Sequence, residues 1–378
     1  MSGLYLHIPY CKQKCHYCNF YSLASVKHRG ELVPGMIREL ELQIDYLEDE
    51  PISTIYFGGG TPSLLIVEEI SSLLTAIHTL FGVTPNAEIT LEANPDDLTP
   101  VKLRELKQAG VNRLSIGIQS FEDIDLEFLN RTHTALQAYD CIKSARDAGF
   151  SNLSIDLIYG IPTLDNKHWE LNLQKAVELD IPHISAYALT VEEKTPLAVM
   201  IRQGKLPNVD DAVQAQHFEI LVDILEASGY LHYEISNFCK PGMFSQHNTA
   251  YWKGIKYLGI GPSAHSYNGV SRQWNVANTG QYLQNLSHNK VPFEKEVLTK
   301  EQRFNEYVMT SLRTMWGCDL AFIEKQFGLQ WVEQAWRDAD KYVRSGLLES
   351  ENNILYLTRN GKFRADGIAS DLFRIVSG

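Results

Sequence analysis

No run of apolar residues in the sequence approaches the ~20 needed to cross a bilayer, which excludes a membrane-spanning helix. The opening "MSGLYLHIPYC" lacks a charged leader followed by an apolar stretch and a cleavage site, so a cytoplasmic protein is expected, meeting the inner face of a membrane only in passing. Positive charge is in short supply: 34 Lys and Arg stand against 46 Asp and Glu, a net charge of -12, and the basic residues form no cluster. Such a chain repels a polyanion, and nucleic acid drops out as a partner. There are six cysteines, too few and too unevenly spaced for a disulfide framework in a reducing compartment. Repeats and low-complexity segments are absent.

What is present is a rhythm. Six short β-rich runs recur in the first half: "LYLHI" (4–8), "TIYF" (54–57), "EITLE" (88–92), "LSIGI" (114–118), "LSIDLIY" (153–159) and "ISAYALT" (184–190). Helical stripes lie between them: Ile37, Leu40, Ile44 and Leu47; Val67, Ile70, Leu74 and Ile77; Ala138, Cys141, Ile142 and Ala145. Thr99-Pro100 opens one helix and Gly110 closes it. Strands alternating with helices form parallel units, and six in succession predict an α/β fold, a partial (β/α)6 barrel of the TIM type.

Chemistry in such a barrel sits where the strands end. Three cysteines follow the first run, "GGGTP" (58–62) the second, Glu92 ends the third, Gln119 lies past the fourth, Asp156 is on the fifth and Thr190 ends the sixth. Each has a plain alternative reading: Asp156 as a buried carboxylate paired to Arg131, Gln119 as the cap of the next turn.

Cys11, Cys15 and Cys18 form C-x3-C-x2-C, with no second Cys or His pair at the ~12–20 residues that would close a zinc site. Three soft thiolates suit a [4Fe-4S] cluster with one iron left open. His16, inside the motif, is a competing ligand but is expected to pack or face solvent. Cys141, Cys239 and Cys318 stand alone and read as ordinary buried thiols.

"CKQKCHYC" followed by "GGGTP" resembles the radical S-adenosylmethionine (SAM) superfamily. Nearly the whole chain, through "YLHIPYCKQKCHYCNF", "TLEANPDDL", "GVNRLSIGIQSF", "NRTHT" and "YLGIGPSAHSY", is similar to the coproporphyrinogen III dehydrogenase branch and its sister group, the HemW-type heme chaperones. The resemblance implies a [4Fe-4S] cluster on the three cysteines and SAM on its open iron. Tyr5, Gly59, Gly60, Thr61 and Glu92 would contact that SAM, and Tyr17 would lie on its adenine side. Gln119, Arg131 and Asp156 match positions that serve a second SAM in the dehydrogenase; a single SAM with polar ribose contacts is the simpler expectation here. It also implies heme as a ligand, since His247, Asn248, Tyr251 and Trp252 form the H-N-x-x-Y-W pattern of the chaperone group, with His247 the candidate axial ligand, His265 next and Cys239 after it.

Three segments are expected: the barrel over 1–230, an aromatic-rich extension over 231–298, and a C-terminal block over 299–378. The extension follows a helix across 210–228 whose Val213, His217, Ile220 and Ile224 share a side. The last block reads as three helices, a hairpin around Asn352 and Asn353 and a final helix, a winged-helix-like unit of the HemN C-terminal type without a basic recognition helix.

Two functions compete. A heme chaperone would carry cluster, SAM and heme and pass heme to an acceptor such as a respiratory enzyme. The dehydrogenase would use the SAM radical to decarboxylate propionates, drawing electrons from a flavodoxin or ferredoxin; any SAM cleavage in the chaperone would need such a donor too. A third reading, radical modification of tRNA or a small metabolite, is weakened for tRNA by the acidic charge. In the dehydrogenase the cysteine motif continues to a further cysteine, where this chain has Phe20. That departure, with the H-N-x-x-Y-W pattern, favours the chaperone.

Overall fold

The computed structural model describes residues 1–25 and 27–374. Six parallel strands run side by side in chain order: β1 (Ser2–Ile8), β2 (Ile52–Gly59), β3 (Val83–Ala93), β4 (Arg113–Gln119), β5 (Asn152–Tyr159) and β6 (His183–Ala188). The sheet continues past both edges. Beyond β6 lie β8 (Asn237–Cys239) and β7 (Leu231–Glu234), both antiparallel. Beyond β1 lies β9 (Tyr257–Ile260), parallel to it, followed by the antiparallel β10 (His265–Tyr267), β11 (Ser271–Asn275) and β12 (Phe293–Val297). The extension is therefore built into the barrel's own sheet, twelve strands in all among the described residues.

Strand alternation sorts the side chains into two sets. Leu4, Leu6, Ile55, Phe57, Leu91, Leu114, Ile155 and Ile184 are buried in the main core. The alternate positions, Tyr5, Tyr56, Thr90, Glu92, Arg113, Ser154, Asp156 and His183, are polar. Side chains of distant strands share this second face: Glu92 on β3 and Tyr187 on β6 line the same cavity, so the sheet curls into a partial barrel with a polar lumen.

Two helical faces differ from their sequence expectation. The first helix, Arg29–Leu42, buries Leu32, Val33, Met36, Glu39 and Leu40, and Ile44 starts a separate 3-10 turn with its side chain exposed. The helix Asp211–Ala227 buries His217, Phe218, Leu221, Val222 and Leu225, while Ile220 and Ile224 pack at the edge of the core and Val213 is half-buried. In both, the inward face includes a buried polar group, Glu39 or His217, that finds its partners there. Gly160 N–H donates to His217 Nδ1 at 3.0 Å, and the four donors to Glu39 come from the cap of its own helix and from the extension.

The C-terminal block has its own core, around Phe304, Ile323, Leu355 and Ile368. Helices Lys300–Leu312, Leu320–Phe327 and Leu329–Arg344 precede the hairpin of β14 (Leu348–Glu351) and β15 (Ile354–Leu357), with β13 (Cys318–Asp319) beside β15. Asn352 and Asn353 both take positive φ, 52° and 64°, as a tight two-residue hairpin turn requires.

Candidate functional site

The C-terminal ends of the strands open into a cavity of about 640 Å³. Cys11, Cys15, Cys18, Tyr17, Gly59, Gly60, Thr61, Glu92, Gln119, Arg131 and Asp156 all line it, so every residue expected at the cluster or SAM except Tyr5 meets in one place. Tyr5 lies just beneath, where a Cβ on Gly58 would come within 2.8 Å of its ring. His247 is elsewhere.

The cysteine loop is held by its own ends: Cys11 N–H donates to Leu23 O at 3.0 Å, and Leu23 N–H to Pro9 O at 2.6 Å. His16 docks the loop on the helix Asp123–Phe128, its Nδ1 3.0 Å from Phe128 O and its N–H 3.2 Å from Leu129 O. One ring nitrogen of His16 is thus engaged by backbone. All three cysteines are free and half-exposed, while Cys141, Cys239 and Cys318 are buried. No three His, Cys, Asp or Glu side chains among the described residues are grouped to hold a single metal ion; a four-iron cube is wider, and its protein-held corners stand farther apart than ligands of one ion.

The donor set fits such a cube. The Thr61 hydroxyl reaches Cys11 Sγ at 3.5 Å and the Arg131 guanidinium reaches Cys15 Sγ at 3.4 Å, the charge-assisted contacts that favour thiolates and tune a cluster. Gly60 keeps the floor clear: a Cβ there would meet Tyr10 O at 2.7 Å, Ile8 O at 2.9 Å and Cys11 Sγ at 3.1 Å. Arg131 is held in turn by Asn94 Oδ1 and Gly117 O, each at 2.7 Å. Among the described residues it makes no hydrogen bond or ion pair with Asp156.

Two carboxylates face the cavity from the lumen. Glu92 accepts from Tyr56 OH at 2.8 Å and from Gly59 N–H at 3.2 Å. Burial pushes its pKa up to about 7 against those bonds, and burial raises Asp156 to about 6. Gln119 ends β4 in a left-handed conformation, φ 68°, across a register irregularity, which turns its side chain into the cavity. Phe20 stands at the cavity rim, 71% exposed.

At the other end of the lumen, His247 is 1% exposed. Its Nδ1 lies 2.8 Å from Thr54 Oγ1 and its Nε2 2.8 Å from Tyr251 OH, and its ring stacks on Tyr56 at 4.9 Å. Desolvation lowers its pKa to about 3, so it is neutral. Glu88 accepts from the N–H groups of Gln246 and His247 at 3.1 Å, seating the helix Gln246–Trp252 on the barrel floor. His265 is exposed on β10. Sequence reasoning missed Tyr56, Glu88 and Arg113; the signal was the polar residue at every second position of the strands.

The family profile of the Radical SAM superfamily matches residues 5–176, and that of the HemN C-terminal domain matches residues 298–364. The chain is 35% identical to the heme chaperone HemW of Bacillus subtilis over 366 residues, covering 96% of each chain. It is also 35% identical to the heme chaperone HemW of Mycobacterium tuberculosis (strain ATCC 25618 / H37Rv), over 98% of this chain and 94% of that one. Among solved structures, coproporphyrinogen III oxidase (HemN) from Escherichia coli superposes with a TM-score of 0.86, over 98% of this chain and 90% of that one, at 23% identity, a likeness of fold.

Proposed function

We propose, from the premise that this chain belongs to the HemW-type heme chaperones of the radical SAM superfamily, that it holds a [4Fe-4S] cluster, SAM and heme and delivers heme to acceptor proteins. Cys11, Cys15 and Cys18 would hold three irons, leaving the fourth for SAM. When bound, the cluster supplies electrons to SAM, from a flavodoxin or ferredoxin if SAM is cleaved. The chain's own part is placement. Thr61 and Arg131 donate to the sulfurs, Gly59 and Gly60 leave room for close approach, and Tyr5 underlies them. Glu92 offers a carboxylate to the SAM amine, Tyr17 an aromatic face to adenine, and Asp156 and Gln119 polar contacts to ribose. One SAM satisfies these groups.

His247 is the proposed heme ligand. In the described conformation both its ring nitrogens are engaged, so iron would have to displace Thr54 or Tyr251. No helix among the described residues is long and apolar enough to cross a membrane. We place delivery in the cytoplasm, with passing contact where the acceptor, such as a respiratory enzyme, is membrane-bound.

The observation that carries this reading over the dehydrogenase is Phe20, a bare aromatic at the cavity rim where the dehydrogenase motif has a further thiol. Anaerobic incubation of reconstituted protein with SAM, reductant and coproporphyrinogen III tests it. Unchanged coproporphyrinogen is expected, and protoporphyrinogen IX would establish the dehydrogenase instead.

A further inference from the structure

A second cavity, about 550 Å³, lies between the extension and the C-terminal block. It is at the barrel floor, because Tyr257, which lines it, pairs with Gly3 at the start of β1, whereas the thiols follow the end of β1. Its size is in the range of small-molecule sites, roughly 300–1,000 Å³. The walls are flat aromatic rings: Tyr257 and Tyr267 from the extension, Trp316 beyond the first C-terminal helix, and Tyr307 stacked on Phe322 at 4.3 Å.

Its charge is the reverse of the molecule's. Lys253, Arg272 and Arg303 line it against one carboxylate, Glu306, which pairs with Arg272 at 3.0 Å. Arg303 is exposed and has no ion pair among the described residues, and the Lys253 ammonium lies 4.3 Å from the Trp316 ring centroid. A chain of net charge -12 thus gathers two uncompensated cations beside aromatic walls. The ligand complementary to that is a broad, planar, apolar ring system carrying carboxylates. Tyr251 also lines the groove, and its hydroxyl covers Nε2 of His247.

We propose that this groove seats a tetrapyrrole, its macrocycle against Tyr257, Tyr267 and Trp316 and its carboxylates at Lys253 and Arg303. The assignment rests on the heme reading above and adds the place: the floor of the barrel, away from the cluster. Tyr251 is then a positioning residue, the side chain that must turn aside for His247 to reach iron.

Full-length reconstituted protein is titrated anaerobically with hemin, with iron-free protoporphyrin IX, and with the dimethyl ester of protoporphyrin IX. Charge reversal at two exposed positions, Lys253→Glu with Arg303→Glu, should weaken hemin and the free acid tenfold or more. Affinity for the ester and the melting temperature should stay unchanged. Thr310→Phe, which fills the groove from the helix Lys300–Leu312, should weaken all three ligands. Wild-type affinity for all ligands in both variants, or equal loss of ester and acid on charge reversal, overturns the assignment while leaving the heme reading intact. No saturable hemin binding by the wild-type protein overturns both.

Discussion

A methyl group added at position 60 has nowhere to go: its neighbours are two backbone carbonyls and the Cys11 sulfur, at 2.7–3.1 Å. Gly60→Ala is therefore expected to retain less than half the iron and sulfide of the wild-type protein after reconstitution, while its melting temperature moves by only a few degrees. A full complement of iron would show that the floor yields. Glu92 gives a prediction in pH. Its pKa is about 7, raised from 4.5 by burial, so the carboxylate that would face the SAM amine is mostly protonated at pH 6 and mostly ionised at pH 8. SAM affinity measured by calorimetry should rise several-fold over that interval, and Glu92→Gln should flatten the rise. A wild-type profile that is flat or falling would remove Glu92 as the SAM carboxylate. The cysteines, Gly59, Gly60 and Glu92 were legible because strand ends in a parallel barrel are a fixed address. Arg113 was not: it opens β4, 1% exposed, with Nε and Nη1 making no hydrogen bond among the described residues and Glu88 Oε2 4.0 Å from its Nε. Its alternate position marks a polar face, and nothing local says whether that face is a lumen or solvent.

Glu39 shows what a single helix face carries. Its carboxylate accepts from Gln43 Nε2 at the cap of the same helix, and from Gly261 N–H, Asn275 Nδ2 and Tyr282 OH of the extension. It joins the first helix to the segment after β9. Glu39→Ala leaves four buried donors unpaired and should cost about 3 kcal/mol or more in urea unfolding. Burial raises the Glu39 pKa from 4.5 to about 7. The folded state therefore binds more protons than the unfolded state between those values, and this group's contribution falls as pH rises through that window. The variant's stability should accordingly drop less between pH 5 and pH 7.5 than the wild type's; an identical slope would place the titration elsewhere. An isolated Glu among apolar helix positions reads as solvent-facing, which is why the stripe through Ile37 and Ile44 was preferred in sequence. The helix Ala135–Asp147, with no buried charge, carried its expected face unchanged. The short strands β7–β12 were illegible for another reason: none but β11 and β12 exceeds four residues, and their pairing is set by the distant edges they extend.

At the scale of the molecule the partial barrel has two openings. The mouth holds thiols, bare glycine backbone and carboxylates; the floor holds His247 and, beside it, an aromatic groove with a cationic rim. Between them runs a chain of contacts, Glu92 to the Tyr56 hydroxyl, the Tyr56 ring on His247, and His247 to Tyr251. The measurement that tests the central claim most directly is heme hand-over. Reconstituted, heme-loaded protein is mixed anaerobically with a heme-free b-type respiratory cytochrome, and heme is followed by absorbance in the separated proteins. Delivery predicts that the cytochrome gains heme as the protein loses it, faster than from albumin-bound heme, and that the Cys11→Ala, Cys15→Ala, Cys18→Ala triple variant is slower. Heme retained by the protein, or a transfer rate no greater than from albumin, would contradict it.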